Sequence, residues 1–107
     1  MDVTKNREAM LAKGRDMALL RYGLGNEYLK AGSAGKAAEQ LGEAVRLDPS
    51  YSAAWKLYGK ILDAAGQPDE AAEAFEQGII ASEKNGDIQA AKEMRVFLRR
   101  LKKAIEE

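Results

Sequence analysis

The 107-residue chain contains no cysteine and no histidine. Those two absences exclude disulfides, thiol nucleophiles, imidazole general bases and the usual zinc ligand sets. Proline occurs only twice, and Val, Ile and Thr together nine times against nineteen alanines. Residues that suit strands are scarce, while those that lose little freedom in a helix abound. No apolar run approaches the roughly 18 residues of a membrane span. The segment from Met1 to Asp16 is charged at every turn and lacks the apolar stretch of a signal peptide. Neither sign of charge is in excess, since 17 basic and 17 acidic residues cancel, so nothing global draws the chain to nucleic acid or a membrane surface. The composition predicts a single all-α, cytoplasmic domain without cofactor or metal, burying about 65% of its unfolded surface.

What is present is a repeat. A shift of 34 residues superposes Gly25 on Gly59, Gly32 on Gly66, Ala37 on Ala71, Ala38 on Ala72 and Glu39 on Glu73. Size is kept as well: Leu24 matches Tyr58, Leu41 matches Phe75, Ala44 matches Gly78 and Val45 matches Ile79. A fixed period of this length marks stacked supersecondary units, none of which buries its apolar face alone. Within a unit, apolar positions recur at three- and four-residue spacing on both sides of a glycine-containing break, which reads as helix, tight turn, helix. Gly32 and Gly66 suit the left-handed position that ends a helix, Asp48-Pro49-Ser50 closes the first unit, and Ser52 and Asp69 are candidate N-caps. Gly25 and Gly59 are read as close helix crossings, and Trp55, beside Tyr58, as a core residue.

The spacing predicts helices near 4–13, 16–31, 35–47, 52–65, 69–84 and 87–105, about six antiparallel helices in all. The domain divides into an N-terminal half-unit (1–15), two full units (16–51 and 52–85) and a capping helix (86–107). Upstream, Met10 and Leu11 fall where Ala44 and Val45 sit. Downstream the period fails, because Lys92 and Glu93 fall where Tyr58 and Gly59 were, and the last helix shows instead a stripe of Ile88, Ala91, Met94, Phe97, Leu98, Leu101 and Ile105.

Catalytic patterns are missing. Gly32-Ser33-Ala34-Gly35-Lys36 has two residues between its glycines where a phosphate loop has four, and no Ser or Thr follows the lysine. Asp69, Glu70, Glu73 and Glu76 sit at helical spacing without the order of a calcium loop and read as a solvated face. The cations Arg95, Arg99, Arg100, Lys102 and Lys103 read the same way near a helix C-terminus, where positive charge is favoured.

Leu20, Gly25, Tyr28, Ala37, Leu41, Ala44 and Asp48-Pro49, repeated as Trp55, Tyr58, Gly59, Leu62, Ala71, Phe75 and Gly78, resemble the tetratricopeptide repeat over residues 18–84. Two positions depart: Glu83 stands where that family favours proline, and Arg21 where it favours Trp. The first departure predicts a second unit whose helix runs on to Asn85-Gly86. The resemblance implies a right-handed α-solenoid, non-catalytic, whose first helices line a concave groove for a protein or peptide partner. Carried over position by position, the groove comprises Leu19, Tyr22, Asn26, Leu29 and Lys30, with Tyr51, Ala53, Lys56, Lys60 and Asp63. Lys56 and Lys60 lie one turn apart and suit a carboxylate, Asn26 both donates and accepts, and Tyr22 and Leu29 supply apolar area. The clamp with which some members hold chaperone tails matches poorly, since Tyr22 and Lys60 occupy slots for Lys and Asn. Two alternatives stand beside an open groove. Met94, Leu98 or Leu101 could fill it, or the terminal helix, residues 87–105, could pair with its mate through Phe97, Leu101 and Ala104 as a homo-oligomer.

Overall fold

A computed structural model describes residues 3–106, with side-chain burial from residue 9 onward apart from residue 11. The described residues form five helices: α1 (Val3–Lys30), α2 (Ala34–Leu47), α3 (Ser52–Ala64), α4 (Pro68–Lys84) and α5 (Ile88–Glu106). Each packs on the next in the chain, and α3 also reaches α5. The result is an all-α helical-repeat array with extents of 57 × 31 × 19 Å.

Three helices end alike. Gly32, Gly66 and Gly86 take φ of +78°, +77° and +74°, and the amide after each glycine bonds back to the carbonyl of Tyr28, Leu62 or Ser82 at 2.8–2.9 Å. That six-to-one bond satisfies a carbonyl left open at the helix end, and glycine adopts the required conformation without a Cβ penalty. α2 stops differently, before Pro49, where Asp48 Oδ1 accepts the Ser50 amide at 3.1 Å and its hydroxyl at 2.5 Å. The helix starts correct the sequence reading. Tyr51 and Gln67, neither of them a side-chain cap, hold the N-cap positions of α3 and α4. Ser52 and Asp69 lie inside the first turn, because Pro68 takes the first helical place, where its missing N–H costs nothing.

A second correction concerns the first two expected helices, which are one. α1 runs without a break through Gly14, Arg15 and Asp16. Gly14 has no positive φ; a Cβ there would come within 3.1 Å of the Leu47 carbonyl. It is therefore a site of close approach between α1 and the end of α2 and makes no turn. Met10 is 74% exposed, and the Leu11 side chain lies outside the described residues.

The core has two parts. Ala18, Ala37, Leu41, Ala44, Val45, Ala54 and Ile61 join α1 to α3, and Leu62, Ala71, Ala74, Phe75, Met94 and Leu101 join α3 to α5. Trp55 and Tyr58 border both. Trp55 is half-buried, short of the full burial its place in the unit suggested, and its indole N–H donates to the Pro49 carbonyl at 2.8 Å. Gly25 lies against Leu41, and Gly59 against Phe75. The large residue that each unit carries at that place is received by the glycine of the helix before it.

α5 explains why the period fails. α4 extends three residues past the point that lies 34 after Leu47, and the following loop has three residues where the α2–α3 loop has four. α5 therefore starts two residues late, and two residues turn a helix by roughly 200°. Its apolar stripe still meets α4: Met94 is fully buried and Leu101 nearly so.

Candidate functional site

The side chains assigned to the groove come from α1 and α3, and α5 supplies a third wall. At the first junction the Tyr22 and Tyr51 rings lie 5.1 Å apart at 30°. Both are half-buried, and burial, more than the nearby Tyr22 and Asp48, raises the Tyr51 phenol above its ordinary pKa. Leu19 and Leu29 flank this pair and stay 61% and 39% exposed. Asn26 turns inward, its amide donating to the Tyr22 carbonyl at 3.4 Å. Lys30, Ala53 and Asp63 are exposed.

The two lysines meet α5. Lys56 Nζ lies 2.6 Å from Glu93 Oε2, and Gln89 donates to the other carboxylate oxygen at 3.2 Å. Four residues on, Lys60 Nζ sits 5.6 Å above the Phe97 ring, a cation–π contact. The pairs 56–93 and 60–97 make two rungs one turn apart, so α3 and α5 run in the same direction. The Lys56 hydrogen bond leads the causes that hold the Glu93 carboxyl below its ordinary pKa, followed by the Gln89 bond and the Lys56 charge. The groove thus carries its own carboxylate. Sequence reasoning missed Glu93, Gln89 and Phe97 because the two-residue slip of α5 hid which of its residues face α3. The available signal was the four-residue interval that separates Glu93 from Phe97, matching that of Lys56 and Lys60.

The remaining α5 residues settle where its stripe goes. Phe97 stacks on Phe75 at 5.4 Å and 13°, while Met94 and Leu101 are in the second core cluster and Leu98 packs, partly buried, against it. Phe97 and Leu101, named for a homo-oligomeric seam, are thereby engaged within the chain, and Ala104 is exposed. Arg95 pairs with Glu83, and Lys102 with Glu76 at 3.5 Å. No helix among the described residues is long and apolar enough to cross a membrane.

Stacked antiparallel helix pairs that present one lined face define a helical-repeat scaffold, a class that works by holding a surface in place. A family model of the tetratricopeptide repeat matches residues 22–87, and the chain belongs to that family, whose members are in general protein-interaction modules. It is 57% identical over 97 residues to a TPR repeat-containing protein of Pseudomonas aeruginosa, covering 91% of this chain and 92% of that one. A Bordetella parapertussis protein solved in solution is 42% identical, with a TM-score of 0.71, over 97% of this chain and 90% of that one. The crystal structure of a tetratricopeptide repeat domain protein from Salinibacter ruber is 26% identical, with a TM-score of 0.74, over 79% and 94%.

Proposed function

We propose that residues 1–107 form one adaptor domain that binds an extended or helical partner segment across the face built from α1, α3 and α5. The observation that carries this reading is the half-buried Tyr22–Tyr51 pair beside exposed Leu19 and Leu29, with Lys56 and Lys60 further along the chain on α3. Apolar area beside convergent charge is what a peptide needs for anchoring and orientation. The partner carries an apolar side chain for the tyrosines and a carboxylate for the lysines. That carboxylate competes with Glu93 for Lys56 and draws Lys60 off the Phe97 ring, so the site exchanges one acid for another. Units 16–51 and 52–85 do the binding, residues 1–15 and 86–107 flank them, and a cysteine-free composition supports work in the cytoplasm.

Selection from a random peptide display library tests it, with the chain beside a Lys56→Ala/Lys60→Ala variant of unchanged melting temperature. The wild type should enrich peptides that combine an acidic with an apolar residue, and the variant should lose at least tenfold in affinity for them. Enrichment without acidic residues, or equal affinity in the variant, would sink the proposal.

A further inference from the structure

One strip of α1 carries Met10, Met17, Leu20 and Leu24, which are 74%, 36%, 57% and 39% exposed. Their spacing of seven, three and four is that of the a and d positions of a heptad, and Lys13 and Glu27 complete the same stripe. The side facing α2 is different, with Ala18 and Gly25 buried. Leu19 shares a shallow surface concavity with Leu20, Gly23, Leu24 and Glu27, while half-buried Tyr22 and Asn26 lie further round α1. Met10 and Leu20 are its most open members, and a partly solvated apolar strip, about 26 Å long from residue 10 to residue 27, marks an interaction surface.

We infer that the occupant is a second copy of this chain, packed antiparallel about a two-fold axis beside Leu20. Charge is what selects it. Lys13 and Glu27 each stand seven residues from Leu20, on either side. An antiparallel mate centred there brings the Lys13 ammonium of each copy to the Glu27 carboxylate of the other, at two equivalent places; a parallel mate in register would set like on like. Both side chains are available. Lys13 is exposed, and Glu27 has only Lys30 of its own helix at 3.8 Å, with the two about three-quarters exposed. Antiparallel alignment also sets opposite helix dipole ends together. The inference stands without the peptide-binding reading, and its surface differs from the α5 stripe engaged in the core.

Sedimentation velocity on the full chain, from low micromolar to millimolar concentration, tests it. Wild type should show a reversible monomer–dimer equilibrium, and Leu20→Asp, a change at an exposed site, should abolish it with the helical signal intact. Lys13→Glu alone and Glu27→Lys alone each place like charges at both contacts and should weaken the dimer about tenfold. An equimolar mixture of those two variants faces carboxylate to ammonium at both contacts, and should associate as wild type does. A wild type that stays monomeric at millimolar concentration overturns the inference. So does a dimer indifferent to Leu20→Asp, or a mixture that fails to recover.

Discussion

Gly59→Ala isolates what fixes the angle between α3 and α4. The added methyl would lie 2.6, 2.7 and 2.8 Å from three atoms of the Phe75 ring, where favourable carbon contacts are about 3.5–4.0 Å. The ring would have to retreat by about 1 Å. It cannot, being 1% exposed and stacked on Phe97 at 5.4 Å. The two helices must part instead. Overpacking of this kind costs about 1–3 kcal/mol, against which alanine returns about 1 kcal/mol of helix propensity. Three short contacts on a pinned ring favour the upper half of the difference, a net loss of about 1–2 kcal/mol. Thermal melting followed by circular dichroism should fall by about 5–10 °C, and Gly59→Leu should fall further. Gly42→Ala is the control, since its Cβ would meet only the Tyr58 side chain, at an ordinary 3.4–3.9 Å. That variant gains helix propensity alone and should melt a few degrees higher. A Gly59→Ala protein that melts at or above wild type would refute the claim that this glycine sets the crossing.

Two further outcomes follow from the groove and the turns. Because the folded Glu93 carboxyl is held below its ordinary pKa, chiefly by the Lys56 hydrogen bond, the stability it contributes is complete above that ordinary value. It is lost as pH falls through the lowered one. Glu93→Gln should therefore melt with a shallower decline in the acid range than wild type, and parallel curves would mean that the pair contributes nothing. Gly66→Ala forces an L-residue to φ of +77°, a cost of about 1–2 kcal/mol, so its melting temperature should drop by at least 4 °C or so while Gly66→Asn drops less. An unchanged Ala variant would show that the turn tolerates any residue.

The glycines were the most legible part of the chain. Gly32 and Gly66 fall at helix ends in both units, and Gly25 and Gly59 recur opposite a large residue, so a repeat alignment alone yields two turns and two crossings. The break expected between 4–13 and 16–31 does not occur, and the glycine within it, Gly14, sits where α1 comes close to the Leu47 carbonyl. The places of Tyr22 and Asn26 on α1 and of Lys56 and Lys60 on α3 were legible, since those helices keep the period. Their partners were not. Glu93 and Phe97 belong to a helix that starts two residues late, and no period carries information across such a slip. Trp55 was placed on the packing side, but its Pro49 hydrogen bond depends on how the α2–α3 loop folds, which the spacing of apolar residues does not encode.

Among the described residues each helix packs chiefly on its successor, with α3 also touching α5, so the domain is held mainly by contacts between neighbours along the chain. Pulled from its two ends, such a chain would yield by peeling, one hairpin at a time, and would rewind as the load is released. The tethered domain would then act as a soft spring in whatever assembly holds it, with Trp55, the single indole at the border of both core clusters, reporting its extension by fluorescence.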